Sequence, residues 1–300
     1  MGLRRGRLAL VLLLTALAVG PGTFVPTLSA REAYLRALHR DGLATTDEMR
    51  AWVQRGEDAL RVPRTSPLPF RDAGTFAADR ADAVAYAVDV RRGRRLSLAV
   101  RYDAEARLFV DLFRVSSDGE PRWVAALAPG RTTLTYDVGD DATYLARLQP
   151  ELRRGGAFAI AQRTRPSLDF PVGVATGRGP QSPFGVDRDA GRRRHEGIDL
   201  FAPRGTAVVA VTAGVARPST NRLGGNVVWL HAAGRTYYYA HLDRWAVGPL
   251  AFVQAGDVLG YVGNTGNAAR TAPHLHFGIY TRGAIDPWPF IAPDQLIPAD

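Results

Sequence analysis

Alternating apolar and polar positions predict that the middle of the chain is rich in β-strands. Residues 96–102 and 134–138 place an apolar side chain at every second position, which is the period of a strand with one buried face. Shorter apolar runs lie at residues 108–112 and 158–160, and turn residues separate these segments. Several short strands at this spacing are typical of an antiparallel β-sandwich, which we place at residues 70–165.

A helical spacing of apolar residues precedes this β pattern. The predicted apolar face consists of Met49, Trp52, Val53 and Leu60. Thr45 and Glu48 stand three positions apart just before it, which is the spacing of a capping box at a helix N-terminus. We therefore predict a small helical segment with two helices at residues 31–62.

The N-terminus has the composition of a targeting segment. Arg4, Arg5 and Arg7 precede a short apolar run that is followed by small residues, as in a secretory signal peptide. The run can be extended over residues 8–25, which leaves an uncleaved membrane anchor open as the alternative. We expect residues 1–30 to be a signal peptide or an N-terminal membrane anchor, and the rest of the chain to be exported to the periplasm or cell envelope.

Composition limits the chemistry that the chain can support. It contains no cysteine, so disulfides and thiolate metal sites are excluded, and a metal would have to be bound by histidine and carboxylate. The formal net charge is +9 and every basic residue is arginine, which favours anionic polymers as partners. The sequence has no basic recognition helix and no aromatic-basic motif, so we predict no nucleic-acid partner.

Four histidines form three short motifs in the C-terminal part of the chain. The motifs are His195-x-x-x-Asp199, Tyr239-Ala240-His241-Leu242 and His274-x-His276. If these segments are strands, residues two or four apart project from the same face of a sheet. Neutral imidazole and carboxylate are good Zn²⁺ ligands, and three protein ligands with one open position are the pattern of a catalytic zinc site.

Together these motifs resemble the lysostaphin/LytM-type zinc metallopeptidases, which cut the peptides of bacterial peptidoglycan. The resemblance runs from Ser182 to Phe290. Its further matching segments are Phe184-Gly185, Ala202-Pro203-x-Gly205-Thr206, Gly225-Asn226, Gly263-Asn264-Thr265-Gly266 and Thr271-x-Pro273. The resemblance implies a mainly β fold with a C-terminal antiparallel β-sheet metallopeptidase domain, which we place at residues 166–292.

The resemblance also implies roles for the residues of the site. One Zn²⁺ would be bound by His195, Asp199 and His276. His241 and His274 would take the general-base and transition-state-stabilising roles, and which histidine takes which role stays open.

Two features near these motifs have alternative interpretations. Tyr237 and Tyr239 share a face with His241 if the strand is regular. These two tyrosines then either line a cleft or pack in the core, and the sequence favours neither role. Residues 192–194 are three consecutive arginines directly before the first histidine motif. We favour the interpretation that these arginines are simply exposed to solvent; the alternative is that they bind carboxylates of the substrate.

The complete set of motifs favours an active zinc endopeptidase that cleaves the peptide cross-links of peptidoglycan. We expect a monomer with peptidoglycan stem peptides as its partners. The alternatives are a catalytically silent or latent regulator that activates another cell-wall hydrolase, and a wall-binding structural protein. The sequence leaves open which peptide bond is cleaved and whether the upstream residues inhibit or target the domain.

Overall fold

The computed structural model describes residues 29–43, 45–103, 107–173, 179–188, 190–232 and 234–293. The predicted signal peptide or membrane anchor therefore lies outside the described residues, except for its last two positions. Within the described ranges, no helix is long and apolar enough to cross a bilayer. Strands account for 48% and helices for 13% of the chain, which confirms the mainly β fold class.

Two helices form the predicted helical segment, α1 (Ala30–Arg40) and α2 (Asp47–Arg61). The side chain of Ser29 accepts a hydrogen bond from the backbone N–H of Glu32 and caps α1. The hydroxyl of Thr46 accepts from the N–H of Met49 at 3.3 Å and caps α2. The predicted capping box at Thr45 is therefore wrong by one residue, since the next threonine occupies the N-cap position.

Among the residues that the structure describes, nine strands follow the helices and form two facing sheets. The strands are β1 (Arg64–Thr65), β2 (Phe70–Phe76), β3 (Val84–Val90), β4 (Arg94–Asp103), β5 (Leu108–Val115), β6 (Pro121–Ala126), β7 (Thr133–Asp137), β8 (Ala142–Pro150) and β9 (Gly156–Pro166). One sheet has the order β1-β3-β8-β5-β6 and the other β2-β9-β4-β7. All pairs are antiparallel except the short β1–β3 pair. Leu96 and Leu98 from one sheet pack with Leu112 and Leu148 from the other, fully buried, as expected for a β-sandwich.

Buried polar contacts attach the helices to the five-stranded sheet. Arg31 donates to the side chain of Gln149 at 2.7 Å, and Gln149 donates to the backbone oxygen of Trp52 at 2.7 Å. The indole N–H of Trp52 donates to the oxygen of Pro150 at 2.9 Å. These contacts hold the two helices as a layer on the sandwich.

The C-terminal part is built around a large antiparallel sheet. Its elements are β10 (Asp187–Arg188), β11 (Arg193–Arg194), β12 (Ile198–Phe201), β13 (Ala207–Val209), β14 (Gly214–Asn221), β15 (Gly225–Ala232), β16 (Arg235–Trp245), β17 (Ala251–Val253), β18 (Val258–Val262), a 3-10 helix (Gly266–Ala268), β19 (His274–Tyr280), β20 (Ala284–Ile285) and α3 (Trp288–Ile291). The main path of the sheet is β12-β19-β16-β15-β14-β17, and β13, β18 and β20 pair along its sides. One face of the sheet is buried, while the other carries the site.

The sandwich and the C-terminal part touch where β9 ends. Arg94 donates to the backbone oxygen of Ala292 at 2.9 Å, and the N–H of Leu168 donates to the oxygen of Phe290 at 3.1 Å. Gly93 has a φ of +83°, and a Cβ there would lie 2.8 Å from the backbone nitrogen of Phe290. This close approach requires a glycine. The predicted domain boundaries at residues 62, 70, 165 and 292 stay a prediction.

Candidate active site

The three predicted metal ligands converge on one point. His195 Nε2 lies 2.9 Å from His276 Nδ1, and Asp199 Oδ1 lies 3.1 Å and 3.0 Å from these two nitrogens. The edges of a tetrahedron with Zn–N and Zn–O bonds of about 2.0 Å measure about 3.3 Å, so the spacing of the donor atoms suits a zinc ion. Two imidazole nitrogens and a carboxylate oxygen this close repel one another unless a cation or a proton lies between them. The donor set therefore fits the predicted metal, and its assignment as ligands stays a prediction.

The surroundings of the His195 ring determine which of its two nitrogens carries the hydrogen. The Nδ1 atom lies 2.9 Å from the backbone oxygen of Pro183, so it donates its hydrogen there and leaves the Nε2 lone pair facing Asp199 and His276. Arg188 Nη2 also lies near Nδ1, but its two hydrogens are directed at Asp199 and Ser182. The tautomer with a free Nε2 lone pair is the one that a metal ligand requires.

Arg188 is a site residue that the sequence did not reveal. Its guanidinium donates to Asp199 Oδ2 at 2.7 Å and so leaves Oδ1 turned toward the two histidines. Burial alone would raise the pKa of Asp199, but hydrogen bonds with His195 and His276 outweigh burial and hold this pKa well below its usual range. Asp199 is therefore an anion, as a metal ligand must be.

The strand that carries Asp199 does not include His195 of the same motif. β12 begins at Ile198, so His195 lies in the connection after β11, and the prediction that it shares a strand face with Asp199 is wrong. The connection instead passes directly against β19 at Gly197. A Cβ on Gly197 would lie 2.4 Å from the backbone oxygen of Phe277 and 2.8 Å from His276 Nε2. Only a residue without a side chain permits this approach, which brings His195 over the strand that carries His276.

The two auxiliary histidines lie beside the donor set, and the Nδ1 atom of each contacts a backbone oxygen. His241 Nδ1 lies 2.9 Å from the oxygen of Thr265, and His274 Nδ1 lies 2.9 Å from the oxygen of Ala272. Each ring thus donates from Nδ1 and keeps Nε2 as an acceptor; the Nε2 of His274 lies 3.9 Å from Asp199 Oδ1. Burial, together with the nearby His274, lowers the pKa of His241 to about 4. A neutral ring of this kind can accept a proton.

A backbone irregularity places His241 in the cleft. Its φ is +64°, in the left-handed region that residues with a side chain seldom adopt, and its N–H donates to the oxygen of Gly224 at 2.7 Å. The register of β16 shifts at this point, as in a β-bulge. Tyr237 and Tyr239, which a regular strand would place on the face of His241, are buried in the core instead. Tyr238 lines the cleft in their place.

These groups lie in a cleft of about 550 Å³ on the open face of the large sheet. Trp229, Tyr238 and Tyr280 form an aromatic side of the cleft, with the rings of Trp229 and Tyr238 4.2 Å apart. Arg193 and Arg194 line it as well, whereas Arg192 does not. Whether this arginine run captures substrate stays a prediction.

The model of Peptidase family M23 matches residues 193–287, which carry all three predicted ligands and both auxiliary histidines. These residues are a peptidase family M23 domain. The resemblance to lysostaphin/LytM-type peptidases is thereby confirmed.

The M23 domain is similar to several characterised proteins. The L-Ala--D-Glu endopeptidase of Bacillus subtilis (strain 168) is 36% identical over 137 residues, which cover 41% of this chain and 42% of that protein. The peptidoglycan DD-endopeptidase ShyC of Vibrio cholerae serotype O1 is 36% identical over 93 residues, covering 30% of this chain and 21% of ShyC. The solved structure of LytU is 37% identical with a TM-score of 0.35, covering 38% of this chain and 85% of LytU. The chain thus spans less than half the length of the two endopeptidases.

Proposed function

We propose that the protein is a zinc-dependent endopeptidase that cleaves peptide cross-links of bacterial peptidoglycan in the periplasm or cell envelope. The observation that carries this proposal is the convergence of His195, Asp199 and His276 within 3.1 Å of one another at a cleft that also contains His241 and His274. The names of the two endopeptidase relatives support peptide bonds of the cell wall as the substrate.

The proposed chemistry divides the work among the site residues. His195, Asp199 and His276 would hold the zinc ion, which supplies a Lewis acid and lowers the pKa of a bound water. Arg188 keeps the Asp199 carboxylate oriented. The Nε2 atoms of His241 and His274 are placed to accept a proton and, once protonated, to stabilise negative charge that develops on the scissile carbonyl oxygen.

The open cleft favours the active enzyme over the latent regulator. Among the described residues, every residue that lines the cleft lies between Arg188 and Tyr280, so the described part of the sandwich does not cover it. The complete donor set also supports catalysis, since a silent relative would be expected to lack a ligand. We propose that the protein acts as a monomer on stem peptides.

Replacing His241 or His274 by alanine should abolish catalysis but leave the metal in place. Neither ring contributes an atom to the set of three donors, so zinc content should stay near one ion per chain. Loss of a proton acceptor should lower the rate of sacculus digestion by about 10²-fold or more. The measurements are metal analysis and the fall in turbidity of isolated sacculi.

The matched control is His231→Ala. His231 is exposed on β15, where its Nδ1 lies 3.2 Å from the hydroxyl of Thr236, and it does not line the cleft. This variant should digest sacculi at the wild-type rate. If His241→Ala or His274→Ala digested sacculi at the wild-type rate, the replaced histidine would have no role in catalysis.

A further inference from the structure

The outer face of the sheet β2-β9-β4-β7 carries a concentration of positive charge. Its four exposed arginines, called the basic face below, are Arg71 on β2, Arg101 on β4, and Arg163 and Arg165 on β9. Burial alternates along these strands, so that all four side chains project from the side of the sheet opposite to the core.

No carboxylate in the described part of the chain pairs with any arginine of the basic face. Several other exposed arginines of the sandwich and its helices do have carboxylate partners. Examples are Arg64–Asp72, Arg107–Glu151, Arg122–Asp118 and Arg153–Glu48. A preference for arginine over lysine in the whole chain does not explain why four arginines without partners share one surface.

Small side chains occupy many of the remaining positions on this surface, among them Ala73, Ala99, Ala159, Ala161 and Thr135. Arg95 and Asp137 also lie on it and pair with each other, and Asp103 lies at its end opposite Ala157. Arg71 stands opposite Ala161, and Arg101 stands opposite Ala159. With strands about 4.8 Å apart and about 3.4 Å per residue, neighbouring arginines of the face have Cα atoms about 7 to 14 Å apart. This spacing spreads the positive charge over an area that suits an extended array of negative charges.

We infer that the basic face binds the carboxylates of peptidoglycan stem peptides and holds the enzyme on its insoluble substrate. This inference rests on the proposed function, because that function supplies the polymer. A guanidinium binds a carboxylate through two parallel hydrogen bonds, and a face with several arginines can meet several carboxylates of a network at once. Attachment through the sandwich raises the concentration of cross-links around the cleft without a new contact in the cleft.

The test is sedimentation of the protein with isolated sacculi over a range of salt concentrations. In the test variant, Arg71, Arg101, Arg163 and Arg165 are all replaced by glutamine. In the control variant, the exposed arginines Arg36, Arg40, Arg80 and Arg282 are replaced by glutamine, which lowers the net charge equally on other surfaces. We expect the test variant to bind sacculi about tenfold more weakly at low salt with a flatter salt dependence, and the control to stay within about twofold of wild type.

Several results would overturn the inference. An equal loss of sacculus binding in both variants would mean that only the net charge of the protein matters. Unchanged binding of the test variant would mean that the basic face does not bind sacculi. Binding of the face to phosphatidylglycerol vesicles but not to sacculi would assign it to a lipid surface. The double variants Arg71/Arg101→Gln and Arg163/Arg165→Gln provide a second measurement, because each should show part of the loss while the melting temperature stays near wild type.

The binding test and the test of the proposed peptidase activity can fail independently of each other. The test variant should digest a soluble cross-linked stem-peptide dimer at the wild-type rate, because it leaves the cleft unchanged. Wild-type protein that binds sacculi through the basic face but cuts neither sacculi nor the dimer would contradict the proposed function and leave the binding face standing.

Discussion

Replacing His276 by alanine is expected to remove the metal and with it all measurable hydrolysis. The Nδ1 atom of His276 supplies one of the three donor atoms and lies 2.9 Å and 3.0 Å from the other two. A site reduced to one imidazole and one carboxylate falls below the three protein ligands of a catalytic zinc centre. We expect zinc content after dialysis to fall from about one ion per chain to a small fraction of that value, as measured by metal analysis.

His231→Ala is again the control, since it removes a histidine that lies outside the cleft. It should retain full zinc content. Full occupancy in His276→Ala, with the fold shown to be intact by circular dichroism, would mean that His276 is not a ligand.

Adding a single methyl group at Gly197 should damage the site almost as severely. In Gly197→Ala the new Cβ would lie 2.4 Å from the oxygen of Phe277 and 2.8 Å from His276 Nε2. The carbonyl belongs to β19, whose pairing with β12 restrains it, so the connection that carries His195 has to move instead. Overpacking of this kind costs about 1 to 3 kcal/mol of stability. We expect zinc affinity and sacculus digestion to fall by about 10²-fold, because the donor atoms no longer converge.

Gly248→Ala provides a matched control within the same domain. A Cβ at Gly248 would meet no atom within 4 Å. The control should keep its zinc and its rate, as measured by chelator competition and by turbidity. Normal zinc affinity in Gly197→Ala would show that close packing at this glycine does not shape the site.

Regular strand periodicity accounts for the parts of the structure that could be predicted. His274 and His276 project from one face of β19, because they stand two positions apart in a strand that pairs on both sides. The strands β4 and β9 of the sandwich were predictable for the same reason, since each buries one face and leaves the other more exposed.

His195 lies beside Asp199 and His276, but not for the structural reason that the sequence suggested. Its spacing from Asp199 suggested a shared strand face, whereas it lies in a connection before the strand. What brings it to the site is the contact of Gly197 with β19, eighty positions further along the chain. Local periodicity carries no information on such a contact.

His241 shows how one residue can reverse an alternating pattern. The left-handed backbone at His241 turns its ring to the cleft, while Tyr237 and Tyr239 stay in the core. The hydrogen bond from its N–H to the oxygen of Gly224 ties this irregular position of β16 to the turn between β14 and β15. A sequence pattern of period two could not distinguish the two faces here.

Arg188 could not be singled out because the chain is rich in arginine. Its role depends on the β10–β11 hairpin, which brings its guanidinium to Asp199 from seven positions before His195. The pair is partly buried, and this burial separates it from the exposed arginines that surround it in the sequence.

The most direct test of the central claim is to identify the fragments released from isolated sacculi by the zinc-loaded protein. We predict that mass spectrometry detects cross-linked peptide dimers converted to shorter peptides by the addition of one water per bond, with new amino and carboxyl ends. A chelator should stop this conversion, and added zinc should restore it. Cross-links that remain intact with the zinc-loaded protein, or release that continues in its metal-free form, would contradict a zinc-dependent endopeptidase.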